Sequence, residues 1–366
     1  MSRYEEAGYP PLTGLADEGH PIEPIRSQHP LATNSHQYLS AAEAAILRAV
    51  AYADIFEYPL TADEVHRYLA GVPATSTTVN YLLGNGRLVP QRLTRYHGYF
   101  TLPEREAIVE TRRRREKVAA RMWPRAARYA RIIAGLPFVR MVAVTGALAM
   151  DNVDQNADID YLIVTEPGRL WLCRALVIVL VRLVAWRGQV LCPNYFLSEN
   201  ALILQERNPF TAHEVAHMVP IAGMATYHHM RQLNTWTAHF LPNAGGPPRR
   251  AWQTAGSGSF HQVATPPGNG NRAIEPRDSR EIEGPWRFLR TLAETALQAP
   301  PGEWLERWEM ARKVRKFSRQ RERLYGSDGQ AEASFCANWC KGHFENYGQR
   351  TLAAFTERLR ALELDE

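Results

Sequence analysis

The stretch MVAVTGALAMDNVDQNADIDYLIVT, residues 141–165, decides the fold. It begins with a short apolar run of strand character at 141–144, and a turn of small residues around Gly146 follows. After a polar connection, an Asp-Ile-Asp triplet leads into a second apolar run at 161–164. Short apolar runs bounded by turn residues are typical of buried strands. The pattern therefore predicts two neighbouring strands that are linked through a glycine turn.

The two acidic residues of the triplet, Asp158 and Asp160, have the spacing i and i+2, which on a strand directs both side chains to the same face. The two carboxylates repel each other unless a cation lies between them, and Mg²⁺ prefers such hard oxygen ligands. Paired carboxylates that hold Mg²⁺ near a phosphate chain recur in phosphoryl and nucleotidyl transfer. Gly146 permits close approach of the backbone, so the amides after it could bind a phosphate at the start of a short helix.

In these residues the chain resembles the nucleotidyltransferase fold of the DNA polymerase beta superfamily. That family has a Gly-Ser turn after its first strand and Asp-x-Asp on its second, and the spacing from Gly146 to Asp158 is usual for it. The resemblance covers residues 138–200. It implies an Mg²⁺-dependent transferase in which Asp158 and Asp160 hold two metal ions. The backbone amides at Gly146 and Ala147 would hold the triphosphate of ATP or another nucleoside triphosphate.

The sequence departs from the family pattern at two places. Ala147 stands where the family usually has Ser, which removes a hydroxyl contact to phosphate. The family also carries a third carboxylate on a later strand, but the predicted third strand at 189–198 contains no Asp. Asn194 is the polar residue best placed there, as a nucleotide-binding residue, and Glu199 lies just past the strand. Asn194 could equally be a bulge or turn residue beside Pro193.

Length and composition set the organisation that we expect. At 366 residues the chain has room for two or three domains, and its net charge of +5 is mildly basic. Four scattered cysteines and an N-terminus without a signal peptide favour a reducing cytoplasm. We predict an α+β protein with six parts: a disordered arm (1–38), a winged-helix-like module (39–103), connecting helices (104–136), a nucleotidyltransferase-like domain with a mixed sheet (137–243), a flexible linker (244–280) and a helical C-terminal region (281–366).

The predicted N-terminal module begins with two capping boxes, at Ser40 and Thr61, each of which indicates the start of a helix. A third short helix is expected at 75–83, and strands at 86–89 and 99–101. Three helices followed by a hairpin resemble a winged helix-turn-helix. The third helix, which commonly enters the major groove in that fold, carries no Arg or Lys here. Direct DNA reading is therefore not favoured, and a protein-contact or scaffold role stays open.

The connecting region is strongly basic. We predict one helix at 104–122 and a second that begins at Pro124. If the two were collinear, five cations would share one face: Arg114, Lys117, Arg121, Arg125 and Arg128. Such a stripe could follow a phosphate backbone, whereas the simpler interpretation is a solvated helix face.

Two further groups have spacings that can bind zinc. His213 and His217 are at i and i+4 of a helix that we expect to begin with a capping box at Thr211. Cys336 and Cys340, together with a histidine three residues further on, would share one face of a helix predicted at 331–364. Packing is the commoner role for such residues.

The apolar segment at 170–186 could be taken for a membrane span, but it contains Arg174 and Arg182. A buried helix on a sheet explains it better, so no stable membrane insertion is expected, although a membrane-associated protein is a third hypothesis. A later helix is predicted at 222–240. The leading hypothesis is a nucleotidyltransferase whose acceptor is a small molecule, a protein side chain or an RNA end. The alternative is a catalytically degenerate binding protein for nucleic acid or a protein partner.

Overall fold

The computed structural model describes residues 39–155, 157–186, 191–248, 285–325, 334–341 and 346–364. The predicted arm at 1–38 and most of the predicted linker at 244–280 lie outside these ranges. The described chain is a mixed α+β protein with two β-sheets, which confirms the predicted fold class at that level.

The N-terminal part consists of three helices and a small sheet. Its elements are α1 (Ala41–Asp54), β1 (Leu60–Thr61), α2 (Ala62–Arg67), α3 (Ser76–Gly84), β2 (Thr94–Tyr96) and β3 (Tyr99–Thr101). The sheet has the order β1-β3-β2, and both pairings are antiparallel. Both predicted capping boxes are present, because Ser40 and Thr61 accept hydrogen bonds from the amides of Glu43 and Glu64.

The strand predicted at 86–89 is wrong, and β2 takes its place beside β3. Leu88 is fully buried, but its carbonyl accepts hydrogen bonds from the amides of Arg92 (2.7 Å) and Leu93 (2.8 Å). The chain therefore turns here. The apolar side chain of Leu88 is buried in a turn, and in the sequence it resembles the buried residue of a strand.

The connecting region is a single helix, α4 (Ile108–Ala134), and not two helices. Pro124 lies inside it, and burial on both sides of the proline explains why the helix continues: Ala119 and Trp123 precede it in the core, and Ala126 follows. One lost backbone hydrogen bond costs less than the packing of a continuous helix contributes.

The larger sheet has the order β7-β4-β5-β6-β9-β8. Its strands are β4 (Val139–Val144), β5 (Ile159–Thr165), β6 (Leu191–Ser198), β7 (Val219–Ala222), β8 (Ser334–Phe335) and β9 (Trp339–Lys341). Among the strands that the structure describes, only β5 and β6 pair in parallel. The remaining helices are α5 (Gly146–Ala149), α6 (Leu170–Ala185), α7 (Pro209–His217), α8 (Met224–Leu233), α9 (Thr237–Phe240), α10 (Pro285–Gln298), α11 (Pro300–Tyr325) and α12 (Tyr347–Ala361).

The two faces of this sheet pack against different helices. Side chains alternate along β5, so that Tyr161 and Ile163 join a core with α4 and α6, while Leu162 and Val164 join a second core with α7 and α8. The hydroxyl of Tyr161 donates to the carbonyl of Ala126 on α4 at 2.8 Å. Asp160 therefore belongs to the face that α7 and α8 cover.

Two predictions around α7 are wrong. The N-cap of α7 is Asn208, whose side chain accepts from the amide of Thr211 at 2.8 Å, and not a box at Thr211 itself. The predicted helix at 222–240 is also split, because β7 ends at Ala222 and α8 and α9 follow separately. β7 lies at the edge of the sheet, where Pro220 does not interrupt a ladder on both sides.

The predicted helix at 331–364 is correct only in its second half, α12. Its first half contains β8 and β9, and β9 pairs antiparallel with β6 from Tyr195↔Lys341 to Leu197↔Trp339. Cys340 is buried in β9, while Cys336 precedes that strand. The two thiols consequently do not share a helix face, and the histidine of the predicted trio lies outside the described residues.

The first half of the apolar helix α6 packs on the sheet through Trp171, Cys173 and Val177, as expected for a buried helix, whereas Val179 and Leu183 in its second half are more than half exposed. Among the described helices, none has both the length and the apolar character that crossing a bilayer requires.

Candidate functional site

Two adjacent parallel strands bring three possible metal ligands together. Asp158 lies directly before β5, Asp160 is the second residue of β5, and Cys192 pairs with Asp160 across the parallel register. One carboxylate oxygen from each Asp and the thiol sulfur all lie within 4.8 Å of one another. Asp158 is exposed, and the other two are half-buried. This is the one such group of three or more acidic, cysteine or histidine side chains within the described ranges.

The glycine turn lies directly against this group. Gly146 begins α5 with a φ of +64°, and a Cβ atom added to it would lie 2.4 Å from Oδ2 of Asp160. The amide of Thr145 donates to the carbonyl of Asp160 at 3.1 Å, which ties the end of β4 to the start of β5. Any other residue at 146 would be strained and would displace the carboxylate. Ala147 is exposed beside it.

The charges around Asp160 are of one sign. The pKa of the Asp160 carboxyl is raised to about 7, first by burial and then by the charges of Asp158 and Glu214, while a hydrogen bond with Cys192 acts against this shift. Burial also raises the pKa of the Cys192 thiol, and the two carboxylates add to this effect. Within the described part of the chain, neither Asp158 nor Asp160 forms an ion pair with a Lys or Arg. The electrostatics therefore favour a bound cation.

Glu214, on α7, is an acid that sequence reasoning missed as a site residue. It is half-buried, and burial raises the pKa of its carboxyl to about 7, against the opposing charge of Lys341. The charges of Glu214 and Asp160 both contribute, after burial, to a raised pKa of Tyr347. Glu214 therefore faces the same region as Asp160 without belonging to the three-ligand group. In the sequence it stood only as part of a capping pattern, so no signal connected it with Asp160.

Cys192 was also missed, because the search along the third strand was for carboxylates. Its signal is the parallel register, which places it beside Asp160. Asn194 is the residue that the register passes over, because Tyr161 pairs with Pro193 and Leu162 with Tyr195. It lies on the same strand but outside the three-ligand group.

Glu199 is not brought to the site. Its amide donates to the carbonyl of Thr165 at 2.9 Å, and Thr165 is the last residue of β5, whereas Asp160 lies near the start of that strand. A carboxylate at 199 is therefore at the opposite end of the sheet. Its side chain accepts instead from the hydroxyl of Thr226 at 3.3 Å.

His213 and His217 pack in the interface between the N-terminal part and α7. The ring of His213 stacks on Tyr52 with 3.7 Å between centroids, and that of His217 meets the edge of Tyr68 at 4.6 Å. Each is 6% exposed, and burial holds the pKa of both imidazoles well below its usual range, that of His217 at about 3. The described residues add no third ligand, so this pair has the character of core packing.

The site offers two hard oxygen ligands and one soft sulfur ligand. The carboxylates are suitable ligands for Mg²⁺. A thiolate is rarely a ligand of Mg²⁺ but binds Zn²⁺ and similar ions well. Three protein ligands leave positions open for water or a substrate oxygen, as in catalytic metal centres. Comparisons with family models, with curated proteins and with solved structures find no match for this chain.

Proposed function

We propose that this protein is a nucleotidyltransferase, dependent on Mg²⁺, that moves a nucleoside monophosphate from a nucleoside triphosphate to an acceptor hydroxyl and releases pyrophosphate. One observation carries the proposal: the glycine turn and the Asp-x-Asp carboxylates, which are separate in the sequence, touch in space at Gly146 and Asp160. A phosphate held at the turn would thus lie beside a metal held by the carboxylates. The four free cysteines support a reducing compartment such as the cytoplasm.

In this proposal each residue has one role. Asp158 and Asp160 would hold the metal ions, which would neutralise charge on the phosphates. The amides at Gly146 and Ala147 bind the triphosphate, and Asn194 contacts the nucleotide. Glu214 accepts the proton of the attacking hydroxyl, because a carboxylate whose pKa is near 7 suits a general base at neutral pH. Glu214→Gln should accordingly lower turnover and remove the corresponding limb of the pH profile.

Calorimetry tests the proposal with ATP, GTP, CTP and UTP, in the presence and absence of Mg²⁺. We expect Mg²⁺-dependent binding of at least one nucleotide by the wild type and none by Asp158→Asn/Asp160→Asn. Glu110→Gln/Glu357→Gln removes the same charge from exposed positions and should bind normally. Equal binding by wild type and the Asp variant, or no binding of any nucleotide, would contradict the proposal.

A binding protein with a degenerate site is the second candidate, and α4 favours it. Because α4 is one helix, the cationic stripe formed by Arg114, Lys117, Arg121, Arg125 and Arg128 is collinear. All five side chains are exposed, and none forms an ion pair within the described ranges. The stripe is about 21 Å long, which corresponds to several phosphates of a nucleic acid backbone. By contrast α3, the recognition helix of the proposed winged-helix-like module, has no basic residue.

Salt dependence distinguishes this candidate. If the stripe binds RNA, Arg121→Ala/Arg125→Ala/Arg128→Ala should weaken binding of a single-stranded RNA and reduce the slope of log K against log salt by roughly 2. Arg315→Ala/Lys316→Ala/Arg319→Ala removes equal charge from exposed positions of α11 and should leave the slope unchanged. Equal losses in both variants would indicate unspecific attraction to net charge.

A further inference from the structure

The three-ligand group is built by the sheet itself. Asp160 and Cys192 are direct neighbours in the parallel pairing of β5 with β6, and Asp158 lies two residues before Asp160. The paired strands fix the positions of Asp160 and Cys192, and Asp158 lies directly before β5, so that one oxygen of each carboxylate and the sulfur atom are within 4.8 Å of one another. An arrangement of this kind is preorganised for one ion.

Two independent features indicate that a cation is missing from the charge balance of this group. Both carboxylates lack a cationic side-chain partner among the described residues, and the charge of Glu214 adds to that of Asp158 in raising the pKa of Asp160. In addition, the missing side chain at Gly146 lets the Asp160 carboxylate lie against the backbone of the turn, because a Cβ atom there would lie 2.4 Å from its Oδ2. Acids without a cationic partner that lie against a backbone turn are a ligand-binding arrangement more than a stabilising one.

The thiol determines which cation fits. Mg²⁺ takes oxygen ligands almost exclusively, whereas sulfur ligands select Zn²⁺ and chemically similar ions. We propose that Cys192 is the third protein ligand of this site and that the resident ion is a thiophilic divalent cation of the Zn²⁺ type, bound by Asp158, Asp160 and Cys192. The inference deepens the proposed function because it concerns the same site. Under it, Mg²⁺ enters with the triphosphate and is not the ion that the apo protein retains.

Binding of the metal ion by Cys192 releases one proton. The Cys192 thiol must lose its proton for sulfur to coordinate the ion, and that proton passes to solvent when the metal binds. No oxidant or further reactant is needed. The remaining coordination positions are open, which leaves room for a water or a phosphate oxygen.

Cobalt titration of the metal-free full-length protein, without nucleotide, tests this inference. Co²⁺ substitutes for Zn²⁺, and a cobalt–thiolate bond produces a charge-transfer absorption in the near ultraviolet that oxygen ligands do not produce. We expect this band to saturate at one Co²⁺ per chain and to be absent in Cys192→Ser. Zn²⁺ affinity should fall roughly 100-fold in that variant, since even the loss of an outer-shell partner costs 10- to 100-fold.

Two further variants sharpen the test. Cys192→Asp supplies a hard ligand in place of sulfur, so we expect no thiolate band and a shift of preference from Zn²⁺ towards Mn²⁺ and Mg²⁺. Cys336→Ser removes a different partly buried thiol, near β9, and should keep both the band and the Zn²⁺ affinity. A zinc ion held instead by His213 and His217 would survive Cys192→Ser.

The outcomes separate this inference from the proposed function. A wild-type cobalt complex without a thiolate band, or unchanged Zn²⁺ affinity in Cys192→Ser, would overturn the role of Cys192 even if nucleotides bind with Mg²⁺. A thiolate band with no nucleotide binding under any condition would sustain the metal site and contradict the transferase. A wild-type spectrum without the thiolate band overturns the role of Cys192 on its own, so the inference stays falsifiable even if a variant fails to fold.

Discussion

Glu64 and Asp160 are both acids withdrawn from solvent, and their surroundings differ in one respect. Arg112 meets Glu64 with two hydrogen bonds, Nη1 to Oε2 at 2.7 Å and Nη2 to Oε1 at 2.8 Å, and Tyr58 donates a third at 2.8 Å. Burial alone would raise the pKa of Glu64, but the charge and hydrogen bonds of Arg112 outweigh burial and lower it. Asp160 has a second acid beside it instead, and its pKa is raised to about 7.

The two acids differ in whether a cation of the chain is paired with them. The Arg112–Glu64 pair joins α4 to α2, and the guanidinium also donates to the carbonyl of Pro59 and lies over the ring of Tyr58. Its charges are satisfied within the chain, so removing one partner leaves the other buried and unpaired. Among the described residues, no Lys or Arg forms such a pair with Asp160. The following predictions test this contrast, beginning with the largest effect.

Arg112→Met should lower the free energy of unfolding by about 3–5 kcal/mol, because Glu64 would remain buried without its cation. Urea unfolding measures this loss. Arg113→Met is the matched control, since its pair with Glu110 is exposed and should be worth less than about 1 kcal/mol. The double variant Arg112→Met/Glu64→Gln should recover part of the loss. A loss of 1 kcal/mol or less in Arg112→Met would show that the pair is not structural.

The buried, uncharged imidazole of His217 makes the stability of the folded protein depend on pH. The pKa of His217 is lowered to about 3, so the folded state stays neutral while the unfolded chain takes up a proton near pH 6.5. The unfolded state therefore binds more protons below pH 6.5, and stability is lost as the pH falls, by about 2 kcal/mol between pH 7 and 5. Asp160 and Glu214, with raised pKa values, act in the opposite direction.

The contribution of His217 is therefore measured as a difference. Urea unfolding of wild type and His217→Leu at pH 7, 6 and 5 should show a variant whose stability falls by about 2 kcal/mol less over this range. His228→Leu changes an imidazole on α8 for which no such burial holds, and should leave the pH dependence as in wild type. Parallel curves for wild type and His217→Leu would rule out a neutral buried imidazole at 217.

Gly146→Ala and Gly168→Ala form a matched pair, because both glycines have a left-handed backbone, with φ of +64° and +71°. Each alanine should cost about 1–2 kcal/mol of stability from this conformation. Only at 146 does the new methyl group meet a side chain, that of Asp160, whereas nothing lies within 4 Å at 168. Divalent-ion affinity should therefore fall about tenfold or more in Gly146→Ala alone. Equal divalent-ion affinities in the two variants would show that the glycine turn does not contribute to the metal site.

The smallest expected effect is a gain in stability when the Asp160 carboxylate is removed. Above pH 7 the ionised Asp160 carboxylate costs stability in the metal-free protein, because its folded pKa is raised and the stabilisation of the protonated form is lost as the pH rises through about 7. Asp160→Asn should therefore gain about 1 kcal/mol at pH 8 in a chelator, read as a rise of a few degrees in Tm. Added Zn²⁺ should stabilise wild type and not the variant. Asp63→Asn, at an exposed position on α2, should show no gain.

The sequence was most informative where a pattern is local. The capping boxes at Ser40 and Thr61 are complete within four residues, and both are present. The strand pair around Gly146 and Asp160 also lies within one short stretch, and the strand predicted at 141–144 forms the last four residues of β4 (Val139–Val144). In these cases neighbouring residues determine the conformation, so periodicity and turn chemistry suffice.

The sequence was least informative for segments whose packing or pairing partner lies far away in the chain. Pro124 was expected to begin a helix, but packing on both sides of it keeps α4 continuous. β9 resembled helix because its partner, β6, supplies the hydrogen bonds that its own neighbours do not reveal. For the same reason Cys192 and Glu214 were missed: only the parallel register and the packing of α7 bring them towards Asp160.

The pairing of β6 with β9 has a consequence for how the protein is made. Lys341 pairs with Tyr195, so the strand that covers the edge of β6 is synthesised long after β6 itself. At ~5–20 residues per second, a ribosome needs roughly 7 to 30 s to synthesise the intervening residues. During this interval the edge of β6 is open, and an open edge pairs readily with other chains. Nascent chains, and products that end before β9, should therefore depend on chaperones far more than the finished protein, even though Asp158, Asp160 and Cys192 have already emerged.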